Sequence, residues 1–192
     1  MKKQITVIRH GLTEGNLKKW YYGASDIPLD PQGIDALRKL ASEKIYPDPS
    51  GADFYVSGML RTRQSLKAIY GDVPYSVIPD LRELNFGIFE KCTYDELRDD
   101  PQYCEWLTDP AGKTMPDGES MGGFSERVMR GWSELTSQCE EKAIAVIHGG
   151  PISCIMRSLF EPEARYFKWV PDPGRGYTIT VSSDTAPEFS KL

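Results

Sequence analysis

Histidine is almost missing from this chain: His10 and His148 are the only two among 192 residues. Cysteine is also scarce, and Cys92, Cys104, Cys139 and Cys154 include no C-x-x-C pair and no disulfide-dense spacing. This excludes a stapled secreted module and reads as reduced thiols, with Cys139 and Cys154 packed among helical apolar positions. H-E-x-x-H and H-x-H are both absent, so no metal-ligand spacing is present and no metal is expected. No apolar run approaches the length that crosses a bilayer, and an apolar strand follows directly on Met1-Lys2-Lys3, leaving no room for a signal-peptide core. A cytoplasmic protein is expected. Basic charge is not in excess either. The 23 Lys and Arg against 28 Asp and Glu give a net charge of −5, which offers no general attraction to nucleic acid or membrane. Any arginine that meets an anion must do so locally, inside a pocket.

What the chain does contain is a regular alternation. Each histidine ends a β-branched run: Ile5-Thr6-Val7-Ile8 precedes Arg9-His10-Gly11, and Ala143 to Ile147 precedes His148-Gly149-Gly150. Such runs closed by glycine read as buried strands followed by tight turns. Asp30-Pro31 starts a helix with an N-cap acid and proline at its first position, and Ile34, Leu37, Leu40 and Ala41 give it an apolar face. Asp53 to Ser57 is a second strand running into a helix, and Tyr75 to Ile78 a third. Phe124, Val128, Met129, Trp132 and Leu135 mark a long helix before the His148 strand. Tyr177 to Val181 alternates as a late strand, expected at a sheet edge with a frayed tail after Asp184. Residues 84 to 122 break the rhythm with Pro, Gly, Asp and aromatics around a Thr93–Glu96 capping box, and read as an insertion covering the crevice.

The expected fold is therefore α/β: a three-layer α/β/α sandwich with a mostly parallel sheet and helices on both faces. Length allows one domain over 1–192, with 84–122 as a small cap insertion. In such sheets ligands bind beyond the carboxyl ends of the strands. If the two histidine-bearing strands are neighbours, about 4.8 Å apart, both imidazoles share one crevice.

Four segments converge on that rim: Arg9-His10-Gly11 with Asn16; Ser57 to Arg61, where Ser57 is expected as N-cap and Arg61 in the first helical turn; Leu81-Arg82-Glu83-Leu84-Asn85-Phe86-Gly87; and His148-Gly149-Gly150-Pro151. Two arginines, two imidazoles and a helix start suit a dianionic phosphate, which arginine grips bidentately. A neutral imidazole can attack phosphorus in line to give a phosphohistidine that water cleaves, and two guanidinium groups can neutralise the charge. Arg9 and Arg61 are expected to depress the nearby histidine pKa and keep His10 neutral. Glu83 is the acid placed to protonate the leaving alcohol. Trp20, Tyr21, Phe86, Tyr103 and Trp106 are equally readable as pocket lining or as packing of the insertion.

Together R-H-G-x-T-x-x-N, S-x-x-x-R, L-R-E-x-x-F-G and H-G-G resemble the histidine phosphatase superfamily, in its phosphoglycerate-mutase-like branch. The likeness extends to Asp26-Ile27-Pro28-Leu29 with Gly33, and to Pro116-Asp117-Gly118-Glu119-Ser120. The resemblance implies His10 as phosphorylated nucleophile and Glu83 as proton donor. It implies that Arg9, Arg61 and His148 clamp the phosphoryl oxygens, with Asn16 and the Gly149 N–H as further ligands, and that Tyr22 and Gly23 line the substrate pocket. The chain departs at Glu90-Lys91, where members often carry Glu-Gly, which bears on the local turn. The expected activity is cofactor-independent hydrolysis of a small phosphorylated metabolite, with inorganic phosphate as the other ligand. Relatives of this size act on sugar phosphates, nucleotide-like phosphates or ribazole phosphate. A phosphoglycerate mutase and a non-catalytic phospho-ligand binder are the alternatives.

Overall fold

The computed structural model describes residues 2–192. One six-stranded sheet organises them: β1 (Lys2–Arg9), β2 (Asp53–Val56), β3 (Ser76–Val77), β4 (Lys142–Ile147), β5 (Gly176–Ser182) and β6 (Glu188–Lys191), in the spatial order β3-β2-β4-β1-β5-β6. The first four run parallel, while β5 and β6 are antiparallel to their neighbours. From β1 the chain passes outward to β2 and β3, then returns to insert β4 between β2 and β1. Strands β1 and β4 therefore pair directly, in a register that sets Arg9 opposite Ile147.

Alternation along the strands supplies two buried faces. Ile5, Val7, Ala143, Ala145, Ile147 and Ile179 pack in one cluster with Phe124, Val128, Trp132 and Leu135 of the long helix α6 (Met121–Gln138) and with Ile152, Ile155 and Met156 of α7 (Gly149–Phe160). Ile8, Phe54, Val56, Ile144 and Val146 face the other way, where Leu40, Ala41, Leu66 and Ile69 come from α2 (Pro31–Ser42) and α3 (Leu60–Tyr70). The three-layer α/β/α sandwich is as expected. So are the Asp30 cap, whose side chain accepts from Gln32 N, and the reciprocal Thr93–Glu96 capping box that starts α4 (Tyr94–Leu97). Helix α1 (Glu14–Leu17) follows β1, and α5 (Pro101–Leu107) follows α4. Leu84, Phe89, Leu97, Tyr103, Trp106 and Met115, all within 84–122, join the α6 cluster.

The C-terminal expectations need correction. Strand β5 lies inside the sheet between β1 and β6, and the tail is a paired strand, Tyr177 facing Lys191 and Thr180 facing Glu188. Four exposed residues carry no buried period to read, but Phe189 stacks on Phe160 at 4.7 Å, Trp169 at 5.3 Å and Tyr177 at 5.9 Å, and that contact pins the strand. Strand β3 is shorter than expected, pairing only at Ser76 and Val77.

Candidate active site

At the carboxyl ends of β1 and β4 the two imidazoles meet edge to face, 5.2 Å between centroids. Both are buried. A cavity of about 170 Å³ opens here, lined by Arg9, His10, Asn16, Tyr22, Glu83 and Gly149. Trp20, Tyr21, Phe86, Gly150, Phe167 and Val170 complete it. Arg61, His148 and Gly23 stand behind this wall rather than in it.

Hydrogen bonding distinguishes the two rings. His10 Nδ1 lies 2.7 Å from Gly11 O. A carbonyl only accepts, so Nδ1 carries the proton and Nε2 keeps its lone pair. In His148, Nδ1 accepts from Arg61 Nε at 3.2 Å, which places the proton on Nε2, donated to Ser57 Oγ at 2.7 Å. Both nitrogens of His148 are thus engaged. Burial is the main reason both histidines sit well below their ordinary pKa, with Arg61 adding to the effect in each. The arginine effect read from the sequence is present, but desolvation outweighs it.

Ser57 does not cap α3, as the sequence implied. Met59 occupies the cap position without a side-chain bond, and the Ser57 hydroxyl turns to His148 instead. Arg61, fully buried in the first turn, donates to Ser25 O at 2.8 Å, Gly23 O at 2.9 Å and His148. Two of its five N–H donors remain uncommitted. Arg9 donates to Pro171 O at 2.8 Å, while its buried Nε has no partner. Neither guanidinium has a carboxylate within ion-pair distance among the described residues, although a buried charge such as that of Arg61 ordinarily requires one.

The neighbouring loops are held by few groups. Glu90 accepts backbone N–H bonds from Gly23 (2.8 Å), Ala24 (3.0 Å), Ser25 (3.0 Å) and Phe86 (3.1 Å), and so shapes the turn whose carbonyls receive Arg61. Thr13 Oγ1 and Tyr22 Oη are 2.7 Å apart, and Asn16 Oδ1 accepts from Thr13 N at 3.0 Å. The Glu83 carboxyl accepts from Leu84 N and, at 3.0 Å, from Gly150 N at the start of α7. A Cβ on Gly150 would collide with Glu83 Oε1, so this close approach requires glycine. Sequence reasoning missed Gly150 in this role, as well as Phe167 and Val170, which lie in an aperiodic stretch. Among the described residues no three His, Cys, Asp or Glu side chains are grouped to hold a metal, and no helix is long and apolar enough to cross a membrane.

A lone-pair imidazole between two guanidinium groups lacking carboxylate partners is suited to the phosphate of an ester, and on this sandwich it marks the class of histidine-dependent phosphatases. The chain belongs to the histidine phosphatase superfamily, whose branch 1 family model matches residues 5–189. The adenosylcobalamin/alpha-ribazole phosphatase of Salmonella typhimurium is 29% identical over 162 residues, covering 81% of this chain and 79% of that protein. An Enterobacter sp. protein named "Probable phosphoglycerate mutase GpmB" is 29% identical over 164 residues, covering 81% of this chain and 74% of that protein. Among solved structures, phosphoglycerate mutase of Thermus thermophilus superposes with a TM-score of 0.73 at 27% identity, covering 98% of each chain. The family resemblance read from the motifs is confirmed.

Proposed function

We propose that this chain hydrolyses small phosphomonoesters through a phosphohistidine on His10. His10 Nε2 attacks phosphorus. The P–O bond to the alcohol breaks, its electron pair goes to the leaving oxygen, and Glu83 supplies the proton. Water then attacks the phosphohistidine and gives a proton back to Glu83. The P–N pair returns to Nε2, and phosphate leaves. Arg9 neutralises the phosphoryl oxygens with its uncommitted donors, Arg61 adds its positive charge from behind the wall, Asn16 and the Gly149 N–H add contacts, and His148 keeps Arg61 in place. The observation that carries this reading is the His10 lone pair beside two guanidinium groups with no carboxylate partner.

Hydrolysis is favoured over mutase chemistry by the cavity lining. A phosphoglycerate carries a carboxylate besides its phosphate, yet beyond Arg9 the lining offers Trp20, Tyr21, Phe86, Phe167 and Val170 and no second cation. These surfaces favour an uncharged leaving group. In this reading residues 1–192 form one cytoplasmic catalytic unit, with 84–122 as a cap that supplies Phe86. Phosphate release should be measured across a metabolite panel, with acid-labile phosphoenzyme trapped in parallel. Turnover and trapped phosphate should both vanish in His10→Ala. Isomerisation of phosphoglycerate without free phosphate would favour the mutase instead.

A further inference from the structure

The Pro116 to Ser120 motif takes no part in the chemistry above, yet its glutamate lies against the strand-end loop that carries Glu83. Ser120 caps α6 by accepting from Gly123 N at 3.1 Å. About two turns further along that helix, Arg127 Nε and Nη2 each meet a different oxygen of Glu119 at 2.7 Å. The remaining donors of Arg127 go to main-chain carbonyls: Nη1 to Asp80 O at 2.9 Å and Arg82 O at 3.0 Å, Nη2 to Glu83 O at 3.2 Å. All five N–H groups are spent, so Arg127 has none left for a ligand. Glu119 completes the hold on the other side of Glu83. Its Oε2 accepts from Asn85 N at 2.9 Å, and its own N–H donates to Asn85 O at 3.0 Å.

Helix α6 can approach this closely because Gly131, one turn beyond Arg127, leaves room for Leu81; a Cβ there would sit 3.0 Å from its side chain. Burial pushes the Glu119 carboxyl up, but the Arg127 bonds and the Asn85 N–H outweigh it and hold Glu119 ionised below the ordinary carboxylate range. The pair is mostly buried, at 17% and 24% side-chain exposure, so solvent competes with it only weakly.

We infer that Glu119 and Arg127 are positioning residues for Glu83: a bidentate pair that fixes the backbone at 80, 82, 83 and 85 and thereby aims the acid at the leaving oxygen. This rests on Glu83 being the proton donor in the proposed reaction.

Leaving groups test it. An aryl ester such as p-nitrophenyl phosphate expels a stable phenolate unaided, whereas an alkyl ester such as glycerol phosphate needs the proton. In Glu119→Gln and Arg127→Lys, kcat on the alkyl ester should fall by about tenfold or more while the aryl ester changes by less than about threefold, since general acid catalysis contributes factors of about 10²–10⁴. Arg127→Lys keeps the charge but loses the fork, so it should not rescue. Equal losses on both esters, or none on either, overturn the proposal. Should Arg127→Lys fail to fold, the near-isosteric Glu119→Gln still decides. Glu83→Ala separates the two readings: a selective alkyl defect there, without one in the pair variants, sinks the clamp alone. Wild-type protein that turns over neither ester sinks the reaction and the clamp with it.

Discussion

Two fully buried neutral histidines make the stability of this protein depend on pH in a calculable way. Both His10 and His148 sit well below their ordinary pKa, chiefly through burial. In the unfolded chain each titrates at about 6.5. Above that value neither state binds the proton, and the stability is fully present. As pH falls below it, the unfolded chain takes up protons that the folded one refuses, so stability is lost until the folded pKa is reached. The slope approaches about 1.4 kcal/mol per pH unit for each ring. For rings that stay neutral in the folded state throughout, going from pH 7 to pH 5 removes at most about 1.9 kcal/mol per histidine, or about 4 kcal/mol for the pair. That is a large fraction of the 5–15 kcal/mol roughly typical of folded domains. Urea unfolding at pH 7, 6 and 5 measures it, and His10→Asn should remove about half of the histidine part of the slope while leaving carboxylate contributions untouched. A wild-type slope near zero, or one unchanged in His10→Asn, would refute buried neutral imidazoles. The same burial keeps the nucleophile uncharged, so the acidic limb of kcat/KM should fall below pH 6.5.

Other outcomes follow from single contacts. Gly150→Ala drives a methyl into Glu83 Oε1 and should lower kcat on alkyl phosphates by about 10²-fold, read by steady-state kinetics, with the fold intact by circular dichroism. Ser57→Ala strands the buried His148 Nε2–H and should cost about 1–3 kcal/mol in urea titration, whereas Ser57→Thr should retain most of it. Lys91 sits at φ 64°, in the left-handed region that favours glycine. Lys91→Gly relieves that strain against glycine's extra chain entropy and should raise stability by about 0.5–1 kcal/mol. Deleting residues 186–192 removes β6 and the Phe189 stack, and should lower Tm by about 6–12 °C for a loss of about 3 kcal/mol.

What sequence could and could not convey follows from where each signal resides. Helix caps at Asp30 and Thr93 and the buried runs before each histidine are local patterns, and the structure keeps them. The pairing of β1 with β4 is a condition of the shared crevice that no local pattern sets, and it is the fold that supplies it. Strand β6 had no such signal: its four residues are all exposed, and what orders them is an aromatic cluster drawn from Phe160, Trp169 and Tyr177. Ser57 looked like a helix cap because serine before a helix usually is one. Its hydroxyl instead found an imidazole 91 residues away in sequence. Arg127 has no local pattern to mark it, and only the fold brings three carbonyls to it.

The assignment of roles to the two histidines shows the same limit most clearly. In sequence they are near equivalents, each closing an apolar strand and each followed by glycine. Only the family resemblance ranked them. In the fold, the ranking has a physical cause that needs no relative. His10 spends one nitrogen on a carbonyl and retains a lone pair in a ring that lines the cavity. His148 spends one on a guanidinium and the other on a hydroxyl, behind the cavity wall. A ring with no free lone pair cannot attack phosphorus without breaking a buried bond, at a cost of about 1–3 kcal/mol for the group left unpaired. In the proposed reaction the nucleophile is therefore selected by what each imidazole touches, and exchanging those contacts, rather than the residues themselves, would be needed to exchange their roles.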